Sequence, residues 1–180
     1  MILLLHAHPY PSRSRACKAL LHAAREVANI RIHSLYERYP DFDIDVTGEQ
    51  ALLREAARIV ALHPIYWYAP PGLFKHWLDK VLVRGFAYGP GGDALVGKSF
   101  LWAPTTGGDG HAYSAAGMHE HPFTAFIGPM RQTARYCRMH WEDPFVLHGA
   151  HVMDDPTLAA QAAAFAARLA HPPGQASHAV

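Results

Sequence analysis

Short apolar runs and helical stretches take turns along this chain about five times, and that alternation limits the fold more than any other feature. Met1–His6 is apolar almost throughout. A run without in-out alternation suits a strand buried on both faces, as in a parallel sheet covered by helices. Ala16–Val27 then carries Ala16, Leu20, Ala23, Ala24 and Val27 at helical spacing. Ile30–Leu35 alternates and reads as a second strand, and Asp41–Val46 is irregular. Thr47-Gly48-Glu49-Gln50 has the letters of a capping box, which predicts a helix through Ala57. Arg58–His63 is a third apolar strand. Pro70 and Pro71 introduce a helix over Gly72–Val83, since proline is tolerated in a first turn. Phe100–Thr105 reads as the fourth strand, Ala125–Met139 as a helix and Phe145–His148 as a short fifth strand. Asp154-Asp155-Pro156 signals the start of an Ala-rich helix to Leu169, and residues 171–180 read as a frayed tail. The expectation is an α/β, doubly wound parallel sheet in a single domain over residues 1–170.

Composition removes several functions. Half of the 180 residues are apolar, so disorder is not expected. The net charge of +1 comes without a basic stripe, which argues against nucleic acid. Cys17 and Cys137 are the only cysteines, a usage that fits a reducing, cytoplasmic compartment. The start has no basic segment and only a five-residue apolar run, so neither a signal peptide nor a membrane span is expected, and membrane contact would be peripheral. The 14 histidines are scattered; His6-Ala7-His8 and His119-Glu120-His121 are the closest pairs, without an identifiable third ligand, so no metal is expected.

Residues 92–99, GDALVGKS, match the Walker A pattern for nucleotide triphosphates. That pattern works only between a buried strand and a helix start, where loop N–H groups cradle phosphates. Here turn-forming Gly and Pro residues precede it and the apolar run Phe100–Thr105 follows. The order is loop then strand, which leaves Lys98 as a solvated residue at a strand start. GPGGDA (89–94) fails as a dinucleotide fingerprint for the same reason.

In doubly wound sheets, ligands sit outside the carboxyl ends of the strands. The loop after the first strand, residues 6–17, has no glycine but brings Ser12, Ser14, Arg13 and Arg15 to a helix start, which suits a monophosphate; Ser14 could equally be only the helix cap. The loop after the third strand holds three consecutive aromatics, Tyr66, Trp67 and Tyr68, fit either to border a flat cofactor or to pack in the core. The loop after the fourth, from Thr105, contains Gly107, Gly108 and Gly110, which allow close backbone approach or simple flexibility.

These loops resemble those of the flavodoxin-like NAD(P)H:quinone oxidoreductases of the diaphorase type. More narrowly, they resemble the ancillary flavoproteins of glutathione-regulated potassium-efflux systems. The residues that carry the likeness are AHPYP (7–11), SRAC (14–17), YPDFDID (39–45), HPIYWY (63–68), PPGLFKHWLDKV (70–81), GFAYGPGG (85–92), LVGK (95–98) and TTGG (105–108). The resemblance implies a five-stranded parallel sheet of order 2-1-3-4-5 and FMN as cofactor. It implies NADH or NADPH as donor and hydride transfer through the flavin N5 to a quinone. Its alternative is a regulatory subunit on a potassium-efflux antiporter at the inner membrane, with the flavin structural or redox-sensing. By resemblance His8, Ser14, Arg15, Ala16 and Cys17 hold the flavin phosphate, and Ile65, Tyr66, Trp67 and Tyr68 line the isoalloxazine. Thr105, Thr106, Gly107 and Gly108 close its other edge. In a homodimer, Tyr88 would reach the partner's flavin. Tyr113 and His119 match a catalytic Tyr and His that diaphorases place over the ring. Cys17 stands where the family usually has Asn, and Tyr66 where Gln is common.

Overall fold

A computed structural model describes residues 1–171; the expected tail beyond His171 lies outside the described residues. Five parallel strands form one sheet: β1 (Ile2–His6), β2 (Ile30–Ser34), β3 (Arg58–Pro64), β4 (Ser99–Thr105) and β5 (His140–Trp141). Their order is β2-β1-β3-β4-β5, as expected. The helices are α1 (Arg15–Arg25), α2 (Leu35–Arg38), α3 (Val46–Glu55), α4 (Gly72–Val81), α5 (Gly128–Tyr136) and α6 (Asp155–Ala170).

β1, β3 and β4 lack alternation because both their faces are covered, whereas β2, at the sheet's edge, leaves Arg31 exposed. Leu3 and Leu5 of β1 join Leu53, Phe74 and Trp77 of α3 and α4 in one core. Leu4, between them, joins Leu20 of α1 and Phe165 of α6 in the other. Side chains of successive strand residues point to opposite faces, so β1, β3 and β4 must each be apolar twice over.

Several local expectations need correction. The letters TGEQ do not form a capping box. Asp45 is the N-cap of α3, accepting the Gly48 N–H at 2.9 Å. Glu49 is turned inward and buried; it takes hydrogen bonds from Tyr39 Oη (2.5 Å) and Trp77 Nε1 (2.7 Å) and contacts His33 Nε2 (2.6 Å). Burial would raise its pKa, but these partners outweigh burial and lower it. The fifth strand begins earlier than residue 145 and is broken. After Trp141 the pairing lapses over Asp143-Pro144, where proline has no N–H to give. It resumes with Phe145 N–H on Trp102 O (2.9 Å) and Leu147 N–H on Pro104 O (3.0 Å). The helix read over residues 125–139 is shorter: a 3₁₀ turn at Phe123–Phe126 precedes α5, which begins at Gly128-Pro129. Lys98 is half-buried rather than freely solvated; its Nζ donates to Arg54 O (2.9 Å) and to Ala56 O, carbonyls at the end of α3. GDALVGKS lies in turns that lead into β4, with no helix after it.

At the amino edge of the sheet, Arg58 and Glu142 form a buried bidentate pair, both bonds 2.7 Å. Arg58 also donates to Leu169 O at 2.7 Å, tying β3, the chain after β5 and the end of α6 together.

Candidate functional site

The loops after β1, β3, β4 and β5 converge at the carboxyl edge around a cavity of about 300 Å³. Its floor comes from the end of β4: Thr105, Thr106 and Gly107. One wall is the start of α1, with His8, Ser14, Arg15 and Ala16; the facing wall is Ile65 and Tyr66. Residues predicted from all three loops therefore line one space.

Ser14 is the N-cap of α1, its Oγ accepting the Cys17 N–H at 3.1 Å. Helix geometry leaves the N–H groups of Arg15 and Ala16 without intrahelical partners, so the cap and an anion site coexist. The Arg15 guanidinium is drawn aside to Asp155 and Met153 O. Arg13 lines the cavity with its guanidinium 5.8 Å from the centre of the Tyr10 ring. His8 Nδ1 accepts the Tyr10 N–H at 3.0 Å, so a neutral His8 carries its proton on Nε2. Burial, and then the proximity of His151, lower the His8 pKa. Cys17 does not line the cavity; it is buried behind the wall, and burial raises its thiol pKa against hydrogen bonds with Ser14 and Thr105.

The aromatic turn is not core packing. Tyr66 and Ala69 exchange both backbone hydrogen bonds (2.9 and 3.1 Å), with φ of +49° at Trp67 and +65° at Tyr68. Two positive φ values define a two-residue hairpin turn that usually takes Asn-Gly. Holding bulky residues there costs about 1–3 kcal/mol each and is characteristic of ligand-clamping backbone. Trp67 is 92 % exposed and lies outside the cavity lining, as does Tyr68.

Gly108 joins the cavity floor to a second cluster. A Cβ at Gly108 would stand 3.3 Å from His119 Nε2 and 3.5 Å from Tyr113 Cε2. Tyr113 and His119 have ring centroids 4.3 Å apart, and Tyr68 Oη is 3.2 Å from His119 Nδ1. The structure thus brings Tyr113 and His119 together beside Tyr68. Burial, then the Tyr68 phenol, raise the Tyr113 pKa. Tyr88 is elsewhere. It borders a separate hollow of about 520 Å³ between α4 and α5, beside Lys75 and Thr133, with its ring 5.0 Å from Tyr136.

Tyr10, Pro64, Ala150 and His151 also line the cavity, beyond the residues to which the sequence motifs give a role. Ala150 and His151 belong to the loop after β5; the rule that carboxyl-edge loops form the site is the one available pointer to them. His148, 2.9 Å from Thr106 Oγ1, braces the same edge; burial lowers its pKa against the pull of Asp109. Among the described residues no three His, Cys, Asp or Glu side chains gather as metal ligands, and no helix is long and apolar enough to cross a membrane.

The chain is 49% identical over 169 residues to the glutathione-regulated potassium-efflux system ancillary protein KefF of Salmonella schwarzengrund, covering 94% of this chain and 95% of that one. A structure described as a thermophilic tryptophan halogenase from Streptomycin violaceusniger superposes with a TM-score of 0.91 at 34% identity, covering 94% and 98%. General stress protein 14 of Treponema denticola, solved in complex with FMN, gives 0.88 at 34% identity, covering 93% and 97%. An NADPH-quinone reductase of P. pentosaceus gives 0.87 at 27%, covering 97% and 99%. The names attached to these similar folds differ, so activity has to be argued from the site. The profile of one family fits residues 1–169, and with it the sheet order, the carboxyl-edge cavity and the KefF likeness agree: the chain belongs to the family described as Flavodoxin-like fold.

Proposed function

We propose that this protein is an FMN-dependent NAD(P)H:quinone oxidoreductase. The observation that carries the reading is one cavity lined by an unpaired helix start and Arg13 on one side and by Ile65 and Tyr66, where the strained turn begins, on the other. A monophosphate suits the first side and a flat ring system the second. The volume, about 300 Å³, falls at the small end of cofactor sites and suits FMN better than FAD. The FMN held by the Treponema protein, and the quinone reductase name of the P. pentosaceus protein, support the reading.

When bound, FMN supplies two-electron chemistry between NADH or NADPH and a quinone. The N–H groups of Arg15 and Ala16, with His8 Nε2–H and Arg13, would hold its phosphate. Ile65 and Tyr66 would border the ring, and Thr106 and Gly107 would stand at its opposite edge. Tyr113 and His119, above Gly108, donate hydrogen bonds and deliver protons there. Tyr88 lies away from its own chain's cavity, which suits a homodimer in which it serves the partner's flavin.

The 49% identity to KefF favours a second, compatible reading: an ancillary subunit docked in the cytoplasm on a potassium-efflux antiporter. Purified protein decides between enzyme and pure regulator. The absorption spectrum and the mass of the released chromophore should identify FMN, and NADH or NADPH should reduce a quinone catalytically. A flavoprotein without turnover would leave only the regulatory reading. His119→Gln should retain flavin and lose roughly 10²–10⁴-fold in rate. Wild-type rates in both half-reactions across pH 5–8 would remove His119 from the mechanism.

A further inference from the structure

We infer that Tyr68 is a positioning residue: its hydroxyl fixes His119 as the tautomer whose Nε2–H points over Gly108. The inference rests on the proposed role of His119. Three contacts set the Tyr68 ring. It stacks on Phe126 at 4.9 Å and 20°, and meets the His119 ring edge-on at 5.5 Å and 89°. Its own backbone is confined by the Tyr66–Ala69 turn, with φ of +65°. These place the hydroxyl oxygen 3.2 Å from His119 Nδ1.

His119 is held from its other sides as well. Its backbone N–H donates to Ala112 O at 3.0 Å, and Tyr113 covers one ring face at 4.3 Å. A phenol donates better than it accepts, and an unprotonated imidazole nitrogen is the better acceptor of the two. The hydrogen bond thus runs from Tyr68 O–H to Nδ1, and the neutral ring keeps its proton on Nε2. Nε2 is the atom that lies 3.3 Å from where a Gly108 side chain would begin. The glycine lets His119 approach the backbone that follows Thr106 and Gly107 this closely. Other groups that bear on the pair are Tyr113 itself, His148 behind it (5.3 Å between ring centroids), Asp109 at the loop start, and Glu120 and His121 next in the chain. Among the described residues none of these hydrogen-bonds the His119 ring, whereas Tyr68 does.

This also gives the strained turn a second use. Tyr66, at its start, lines the cavity, while the Tyr68 side chain latches the loop after β4. Diverting the phenol would leave the imidazole free to exchange tautomers and to rotate about its Cβ bond.

The test is Tyr68→Phe, which keeps the ring stack and removes only the hydroxyl. Nitrogen-15 spectra of histidine-labelled protein, with His119 assigned through its loss in His119→Gln, read the tautomer directly and need no flavin. Wild type should show His119 as one Nε2–H tautomer with a hydrogen-bonded Nδ1, and Tyr68→Phe a mixture of both. In the FMN-loaded protein, the variant should keep flavin content and melting temperature. It should lose at least about tenfold in quinone reduction, out of the larger contribution of general acid help, and its pH–rate profile should move. An unchanged His119 spectrum in Tyr68→Phe overturns the inference, as does an altered spectrum with an unmoved pH profile. If the wild type binds no FMN or turns over no quinone, the proposed function fails instead, and the spectra still report whether Tyr68 sets the tautomer.

Discussion

His63 has both ring nitrogens occupied in a fully buried place: Nδ1 lies 2.9 Å from Pro64 O, and Nε2 accepts from Trp102 Nε1 at 2.8 Å. Only the neutral ring satisfies both, and burial lowers its pKa to about 4. His6 is likewise buried, its Nε2 without a partner, and burial together with His8 and His63 lowers it to about 4. The unfolded chain protonates these rings near 6.5, the folded one only near 4. Stability is therefore complete above pH 6.5 and falls between pH 6.5 and 4, by roughly 3 kcal/mol for each ring at most. The lowered carboxyl of Glu49 adds its loss only at lower pH. Urea midpoints should be flat from pH 7 to 8 and drop steadily from pH 6.5 to 4.5. A midpoint constant to pH 4.5 would show that these rings are not held neutral. In the sequence only the family resemblance gives roles to His8 and His119, and nothing gives one to His6 or His63. His-x-His suggests ligands, whereas the fold buries His6 and turns His8 to the cavity because β1 ends between them.

Lys98 shows what can be read one element at a time. The sequence order of loop and strand is enough to reject a phosphate loop, but not to find the contact that replaces it. The partners of Lys98, Arg54 O and Ala56 O, lie more than forty residues earlier and meet it only because β3 and β4 pair in register. Lys98→Ala should cost about 1 kcal/mol by baring the last carbonyls of α3, and should leave flavin binding unchanged. Thermal melts and flavin titration check both; a lost nucleotide triphosphate affinity would restore the Walker reading. The first four strands and α1, α4 and α6 are legible because apolar runs and caps are local signals. Glu49 reads as a capping partner because its three real partners come from β2, the chain after α2, and α4. The sequence places β5 late because Pro144 splits a strand whose first half, His140–Trp141, is too short to show a pattern.

The whole molecule gathers its candidate site at one edge and its structural ties at the other. Excess FMN should therefore stabilise the entire fold, by about 2.7 kcal/mol at a hundredfold excess over its dissociation constant. If Tyr88 serves a partner's flavin, that affinity should weaken on dilution as dimers separate, followed by sedimentation and flavin fluorescence together. An affinity that stays constant into the monomer range would confine Tyr88 to the hollow between α4 and α5. The opposite edge has its own consequence. Arg58 stands level with Ile2 in the sheet and holds Leu169 O, so the first strand begins and α6 ends beside the same residue, on the side away from the cavity. A reporter or a surface anchor fused ahead of Ile2 would therefore hold the protein with the candidate cavity turned outward, open to whatever diffuses toward it.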